Sequence, residues 1–356
     1  PAVRIENQVL KWLSDAVGYP ATAGGNFLSG GSMANLSAIV VAREAAEIRA
    51  RDVERAVVYL TDQAHHCITK GLRVVGMGEC VQRRVPMDAR FRMDADCLCD
   101  AMREDAKAGR KPWLVIGTAG TTDTGAVDPL DSIAAVAAEH GAWFHCDGAY
   151  GGPFVLCAEG KRILKGIERS DSVVLDPHKG LYVPFGVGAL LVRDEMAMRQ
   201  AYRFSASYIS RDAHLGDAVS PMDLSPELSR PFRALRLWLP LQALGTAPFE
   251  AALEEKLLLA RYAHERLQTL PGIEVGPEPQ LSVVIFRARS KRGDANELNQ
   301  RLEHAILKDG RISMSSTMLH EERWIRMAIL SPRTHRASID LALEIIQMCM
   351  KRLEAT

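Results

Sequence analysis

The stretch at residues 171–191, DSVVLDPHKGLYVPFGVGALL, decides the fold. Its apolar start, residues 172–175, predicts a short buried strand, and the chain then turns at a proline. A histidine and then Lys179 follow that turn directly. Most lysines in such a loop are simply exposed to water. A lysine placed at the end of a buried strand is costly unless its amine is used.

A second strand that runs into a charged residue lies upstream. Residues 142–152 read AWFHCDGAYGG, an apolar run that reaches Asp147 and then small residues. Pyridoxal 5′-phosphate (PLP) requires such a pair, because the lysine forms the Schiff base and the acid keeps the pyridine nitrogen protonated. We therefore predict a PLP-dependent protein with Lys179 and Asp147 at its centre.

A glycine-rich turn ahead of a helix predicts where a phosphate would bind. Residues 26–36, NFLSGGSMANL, place Gly31 and Ser32 before an alanine-rich helix predicted over 33–50. Glycines there let backbone N–H groups and the positive end of the helix dipole approach an anion. The same pattern also serves as an ordinary helix N-cap. It lacks the lysine of a P-loop and the G-x-G-x-x-G of a dinucleotide fold, which argues against nucleotide binding.

Strands and helices alternate between residues 56 and 192, which predicts an α/β domain with a mostly parallel sheet covered on both faces. His65 and Thr122 follow two further predicted strands, as Asp147 and Lys179 do theirs. Ligands bind at the carboxyl ends of strands in open sheets, so we expect the four residues to converge on one edge. His65 there could lie flat against a cofactor ring, or it could be a loop histidine satisfied by water.

The second half of the chain predicts a smaller α+β domain. Its predicted elements are helices over 249–270, 296–308 and 339–353 and strands over 281–287, 312–316 and 324–330. We assign residues 1–245 to the large domain and 246–356 to the small one. The segment 201–230, rich in Ser, Asp, Pro and Gly, lacks a periodic pattern, and segments of this kind are often functional lids.

Composition excludes several classes of protein. Lys+Arg equals Asp+Glu at 44 each, so nothing marks a nucleic acid or an anionic membrane as a partner. No apolar run approaches the roughly 20 residues of a membrane span. Seven scattered cysteines predict a reducing, cytoplasmic compartment. Cys97-Leu98-Cys99 and His65-His66-Cys67 have no second ligand pair at zinc spacing, so we predict no metal.

Taken together, these stretches resemble the group II PLP-dependent amino-acid decarboxylases, the family of the aromatic-L-amino-acid and glutamate decarboxylases. The similar stretches are SGGSMAN, TDQAHH, AGTTDTGAVDPL, WFHCDGAYGG, DPHKGL, RPFRALRLW and RMAILSPRTH, in this order over nearly the whole chain. The resemblance implies fold type I: a large seven-stranded α/β domain, a small C-terminal α+β domain, and a homodimer with shared active sites. It also implies an N-terminal helical segment, which this sequence does not contain.

The resemblance also assigns roles to single residues. Lys179 becomes the Schiff-base lysine and Asp147 the partner of the pyridine nitrogen, with His65 and Ala149 on opposite faces of the ring. The implied phosphate and nearby polar contacts are Gly31, Ser32, His178, Asp176 and Thr122, and Phe185 would border the substrate pocket.

Two positions depart from the pattern of many relatives. Asp176 stands where they have asparagine, and Gly180 where they have tryptophan. A carboxylate beside a phosphate must be protonated, turned away or offset by a cation. We therefore expect a changed phosphate site and a reshaped pocket.

The implied reaction is decarboxylation of an L-amino acid, aromatic by expectation, to the amine and CO2 through an aldimine and a quinonoid. A loop tyrosine reprotonates the product in the family, and Tyr208 is the nearest candidate here. Alternatives are oxidative deamination to an aldehyde, a glutamate, 2,4-diaminobutyrate or cysteine-sulfinate substrate, another fold type I activity such as an aminotransferase or a cysteine desulfurase, and a non-catalytic relative. Arg326 could bind a substrate carboxylate, although we expect it to lie in a salt bridge on an exposed strand face.

Overall fold

A sheet of seven strands organises the first 192 residues of the computed structural model, which describes residues 1–202, 221–290 and 293–354. The strands are β1 (Gly24–Leu28), β2 (Ala56–Leu60), β3 (Val81–Arg84), β4 (Lys111–Thr118), β5 (Trp143–Gly148), β6 (Ser172–Leu175) and β7 (Gly188–Val192). Their order is β1-β7-β6-β5-β4-β2-β3. Strands β2 to β6 run parallel, whereas β7 is antiparallel to β1 and β6. The predicted α/β fold with a mostly parallel sheet is confirmed.

Helices cover both faces of this sheet. They are α1 (Ala2–Val17), α2 (Gly31–Ala45), α3 (Cys67–Val74), α4 (Ala95–Lys107), α5 (Leu130–Glu139), α6 (Ala158–Ile163), α7 (Pro177–Gly180) and α8 (Glu195–Tyr202). Every residue of β2, β6 and β7 is buried. Continuous apolar strands of this kind need cover on both sides, so their composition positions the helices.

A second sheet follows after helix α9 (Leu235–Leu244). Its strands β8 (Ile273–Val275), β9 (Val283–Ala288), β10 (Ser315–Leu319) and β11 (Glu322–Ala328) are antiparallel in the order β10-β11-β9-β8. The helices α10 (Ala247–Gln268), α11 (Ala295–Asp309) and α12 (Arg336–Glu354) accompany them. This is the predicted α+β arrangement.

Helix α10 takes part in two hydrophobic cores. Its first half contributes Phe249 and Leu253 to the sheet core, the cluster built around the seven-stranded sheet. Its second half contributes Ala263 and Leu267 to the C-terminal core, the cluster built around the second sheet. The domain boundary that we predict between residues 245 and 246 falls just ahead of this shared helix and stays a prediction.

Several elements differ from the sequence-based expectation, and three of them have a clear physical reason. The helix predicted over 33–50 ends at Ala45, because the chain turns through a positive φ at Glu47 and buries Ile48. Tertiary burial there outweighs the helix propensity of the alanines. Strand β1 was not predicted, because its sequence, GGNFL, has low β propensity. Strand β10 lies three residues later than expected, because it forms a tight hairpin with β11.

Candidate active site

A cavity of about 400 Å³ opens at the carboxyl edge of the large sheet. All ten described residues that we predicted as contacts line it: Gly31, Ser32, His65, Thr122, Asp147, Ala149, Asp176, His178, Lys179 and Phe185. The predicted convergence of four strand ends is therefore confirmed, while the roles of the residues stay predictions. Tyr208, the predicted proton donor, lies outside the described residues.

Lys179 reaches the cavity from the end of β6. Pro177 starts the short helix α7 directly after the strand, and the Lys179 N–H donates to the Asp176 carbonyl oxygen over 2.8 Å. The side chain of Lys179 is 40% exposed, and its Nζ lies 3.2 Å from Asp176 Oδ2. The amine is thus held in position by a buried carboxylate and is open to a ligand in the cavity.

Asp147 stands at the end of β5 and is 5% exposed. Its Oδ2 accepts a hydrogen bond from Asn35 Nδ2 over 3.1 Å, and its Oδ1 accepts one from the Ala149 N–H over 3.2 Å. These two donors hold the carboxylate in one orientation. An ionised acid at this place can hold a proton on a ring nitrogen.

A buried chain of hydrogen bonds extends behind Asn35. Trp143 Nε1 can only donate, and it donates to Ser172 Oγ over 2.8 Å. The Ser172 hydroxyl donates in turn to His145 Nδ1 over 2.8 Å, because the neutral ring carries its one proton on Nε2. His145 Nε2–H then donates to Asn35 Oδ1 over 2.8 Å. This assignment requires a neutral imidazole, and burial lowers the pKa of His145 to about 4. The chain orients the Asn35 amide so that its N–H points to Asp147.

Sequence reasoning missed this chain, although part of its signal was visible. Trp143, His145 and Asp147 alternate along β5 and so share one face of the strand. Ser172 is the register partner of His145 on β6. Asn35 comes one helical turn after Gly31 within SGGSMAN. Only the pairing of β5 with β6 beneath α2 brings the residues together.

The hydrogen-bonded chain predicts a pH dependence of stability. An unfolded histidine has a pKa of about 6.5, so between that pH and about 4 the unfolded protein binds more protons than the folded one. The free energy of unfolding should therefore fall by about 3 kcal/mol as the pH drops through this window. We expect His145→Gln to be less stable at pH 7 but to lack this part of the slope. Denaturant unfolding of both proteins at pH 7, 6 and 5 measures it, and parallel slopes would contradict it.

His65 lies in the loop after β2, where burial lowers its pKa. Its Nδ1 accepts a hydrogen bond from the Cys67 N–H over 3.3 Å, so the ring proton sits on Nε2. A neutral imidazole in this position can lie against an aromatic ring without adding charge. Ala149, the predicted contact on the opposite ring face, lines the same cavity and is 7% exposed.

The start of α2 forms an anion cradle, which we define as Gly30, Gly31, Ser32, Asp176 and His178. No side chain caps the helix at Gly30, so the first N–H groups of α2 are available to a ligand together with the Ser32 hydroxyl. His178 Nδ1 donates to the Val187 carbonyl oxygen over 2.7 Å, which fixes the ring.

The cavity residues fit PLP. Asp176 Oδ1 and Gln63 Oε1, both buried and both on residues that line the cavity, have no hydrogen-bond partner. Buried polar atoms without a protein partner indicate that the cavity receives a polar ligand. The donor set matches the cofactor as well: an amine, a carboxylate for a pyridinium nitrogen, and helix N–H groups for a phosphate.

The packing around Gly180 leaves no room for a side chain at this position. A Cβ at this position would lie 2.6 Å from Pro153 Cβ and 2.8 Å from Pro153 Cγ. Neither residue lines the cavity. We expected Gly180 to reshape the pocket. Its surroundings do not indicate this, because the glycine makes room for the ring of Pro153.

Gly180→Ala should accordingly lower the free energy of unfolding by about 1–3 kcal/mol, since a rigid ring must move. Gly78→Ala is the matched control: a Cβ there meets its nearest atom at 3.5 Å, and we expect a change within about 0.5 kcal/mol. Combining Gly180→Ala with Pro153→Gly should cost less than the sum of the two single changes. Full additivity would count against the explanation.

Arg326 of β11 connects the second sheet to the cavity wall. Its Nε donates to the Asp123 carbonyl oxygen over 2.8 Å, and its Nη2 donates to the Thr122 carbonyl oxygen. The prediction that Arg326 lies in a salt bridge is therefore wrong, because its guanidinium donates to backbone carbonyls instead. Through them it fixes the loop that carries Thr122.

Phe185 stands at the mouth of the cavity and is 84% exposed. Its ring centroid lies 5.4 Å from that of His178. Met33, 37% exposed, is a second apolar residue of the cavity lining. The mouth of the cavity therefore presents apolar surface to its surroundings.

One group of three potential metal ligands occurs among residues 1–202, 221–290 and 293–354: Cys99, Glu139 and His140. None of the three lines the cavity. Cys99 Sγ already accepts a hydrogen bond from Arg103 over 3.3 Å.

Comparison with known proteins agrees with this donor set. Residues 1–289 match the family described as the pyridoxal-dependent decarboxylase conserved domain. An aromatic-L-amino-acid decarboxylase of Bacillus atrophaeus is 36% identical over 355 residues, which cover 98% of this chain and 72% of that protein. An L-2,4-diaminobutyrate decarboxylase of Rhizobium meliloti is 32% identical over 357 residues, with 99% and 71% covered. The crystal structure of Oryza sativa TDC with PLP and tryptamine superposes with a TM-score of 0.92 at 30% identity, covering 99% of this chain and 76% of that one.

Proposed function

The chain belongs to the pyridoxal-dependent decarboxylase family and is a PLP-dependent amino-acid carboxy-lyase, and from this premise we propose that it converts an aromatic L-amino acid to its amine and CO2. One observation carries the choice of substrate. Among the described residues that line the cavity, no arginine occurs, and Lys179 is the only lysine. A second acidic group on a substrate would find no free cation there.

The remaining charges also argue against a basic side chain. Asp147 already accepts two hydrogen bonds, and Asp176 lies against Lys179. In this proposal both carboxylates face the cofactor, Asp147 at the ring nitrogen and Asp176 at the phosphate, so neither is left for a second amine on the substrate. Phe185 and Met33 instead offer apolar surface at the mouth, which suits a flat hydrophobic side chain.

Each residue of the site has a task in this proposal. When bound, PLP supplies the electron sink for the bond that breaks as CO2 leaves. Lys179 holds the cofactor covalently, and Asp147 keeps the proton on its ring nitrogen. His65 and Ala149 orient the ring from its two faces. Ser32 and the N–H groups of α2 bind the phosphate.

Tyr208 is our proposed donor of the proton that replaces CO2 at the substrate carbon. The segment 201–230 that carries it begins at the end of α8, where the Tyr202 hydroxyl lies 2.6 Å from Ser37 Oγ on α2. That contact ties the beginning of the segment to the helix that starts at the cavity.

We also propose a homodimer in which the second copy covers the cavity mouth. The exposed apolar residues Phe185 and Met33 would then be buried, and the partner would add a further wall to the substrate pocket. A cytoplasmic location fits the seven cysteines, all of which are free thiols. No described helix has the length and apolar character required to cross a membrane.

A panel of L-amino acids tests the function, with CO2, amine and aldehyde all quantified. We expect aromatic substrates to give equal amounts of CO2 and amine, with a kcat/KM at least about tenfold above that for glutamate, 2,4-diaminobutyrate or cysteine sulfinate. A keto acid without CO2 would rule out decarboxylation. Aldehyde in place of amine would show that oxidative deamination follows the loss of CO2.

A further inference from the structure

Asp176 is a carboxylate sealed inside the anion cradle. The residue is 1% exposed, and its Oδ1 has no hydrogen-bond partner. Its backbone is held on both sides, since its N–H donates to the Ala149 carbonyl oxygen over 3.1 Å and its own carbonyl accepts from the Lys179 N–H over 2.8 Å. The carboxylate is therefore a fixed part of the wall.

Two glycines leave the space that the carboxylate fills. A Cβ on Gly31 would lie 2.7 Å from Asp176 Oδ2, and a Cβ on Gly188 would lie 2.8 Å from Asp176 Oδ1. Both oxygens thus touch backbone at the start of α2 or beside it. An anion that binds the first N–H groups of α2 must lie next to this carboxylate.

Few charges face Asp176. Lys179 Nζ is 3.2 Å and His178 Nε2 is 3.8 Å from Oδ2, and the acid of the site, Asp147, adds a repulsion. Burial raises the pKa of Asp176. His178 Nδ1 already donates to Val187, so Nε2 carries a proton only when the ring is charged. With Lys179 committed to the cofactor, a bound phosphate would meet a second anion without a dedicated cation.

We propose that Asp176 takes up one proton from solvent when the phosphate of PLP binds, and donates it to a phosphate oxygen as an O–H···O hydrogen bond. This inference rests on the proposed function, since it takes PLP as the ligand. The unpartnered Oδ1 is the atom that carries the proton. No covalent bond changes, and the phosphate stays a dianion.

The proposal fixes how cofactor affinity depends on pH. A group that gains a proton on binding makes the complex weaker as the pH rises. The dissociation constant of PLP should therefore rise about tenfold per pH unit relative to Asp176→Asn, whose amide donates without taking up a proton. The titration of PLP itself affects both dissociation constants equally, so it cancels in the ratio of wild type to Asp176→Asn.

Isothermal titration calorimetry of apoprotein with PLP, in two buffers of different ionisation enthalpy, counts the protons. We expect wild type to take up about one proton per site more than Asp176→Asn. Asp171→Asn, which removes a neighbouring carboxylate outside the cavity, should match wild type. His178→Gln should also match wild type in proton count, although it binds PLP more weakly. The ³¹P resonance of bound PLP should be that of the dianion between pH 6 and 8.

Each remaining outcome has a definite meaning. Equal proton uptake by wild type and Asp176→Asn overturns the inference, and so does a monoanionic ³¹P shift in wild type. Loss of the uptake in His178→Gln would move the proton to that ring and would equally overturn it. Circular dichroism confirms that each variant is folded. If wild type binds no PLP at all, the proposed function fails instead, and the proton question does not arise.

Discussion

Lys179→Ala should retain no cofactor adduct that borohydride can trap and should lower kcat by about 10⁴-fold or more. We expect this loss because Lys179 is the only lysine among the described residues that line the cavity. No neighbouring side chain can replace it. The change also leaves the buried Asp176 without the cation 3.2 Å away. Absorbance, borohydride trapping and CO2 release measure the three effects together.

Lys165→Ala is the control for this experiment. That side chain is 76% exposed and lies 3.8 Å from Asp131, away from the cavity. It should keep wild-type absorbance and turnover. Retention of full activity by Lys179→Ala would end the proposal that this lysine holds the cofactor.

Asp147→Asn should lower kcat by about 10³-fold while the protein stays folded. The amide has the same shape as the carboxylate, but it cannot hold a proton on a ring nitrogen by charge. Its single carbonyl oxygen can accept from only one of the two donors, Asn35 Nδ2 and the Ala149 N–H, that the carboxylate of Asp147 accepts with its two oxygens. The measurement is kcat together with the absorbance spectrum of bound PLP.

Asn35→Ala supplies the graded comparison. It removes one donor to Asp147 and leaves the carboxylate, so we expect a loss of about tenfold in kcat. An Asn35→Ala loss as large as that of Asp147→Asn would indicate that Asn35 acts on the ligand directly. An unchanged rate in Asp147→Asn would remove the acid from the mechanism.

The sequence predicted those parts of the site that follow from local pattern. Strand β6 has the predicted bounds, and Lys179, Asp147, His65 and Thr122 reach one cavity because parallel strands end at one edge. The end of a strand can be predicted from local sequence. Because ligands bind at the carboxyl ends of strands in open sheets, it also predicts where the site lies.

Other parts depend on pairings that no local pattern contains. Asn35 meets His145 only because α2 lies over β5, and Arg326 reaches the Thr122 loop from a strand of the second sheet. Gly180 was expected to reshape the pocket because many relatives have tryptophan there, and the residue it packs against, Pro153, is distant in sequence. Residues of this kind require the tertiary structure.

Helix α10 has a consequence for dissecting the protein. A fragment that stops at residue 245 would lack Phe249, Leu253 and Leu257 of the sheet core. The loss of each buried side chain would lower the free energy of unfolding by roughly 1.5–3 kcal/mol. A fragment that starts at residue 246 would expose the same side chains to water. The two halves should therefore melt in a single transition in calorimetry, and neither should be stable when expressed alone.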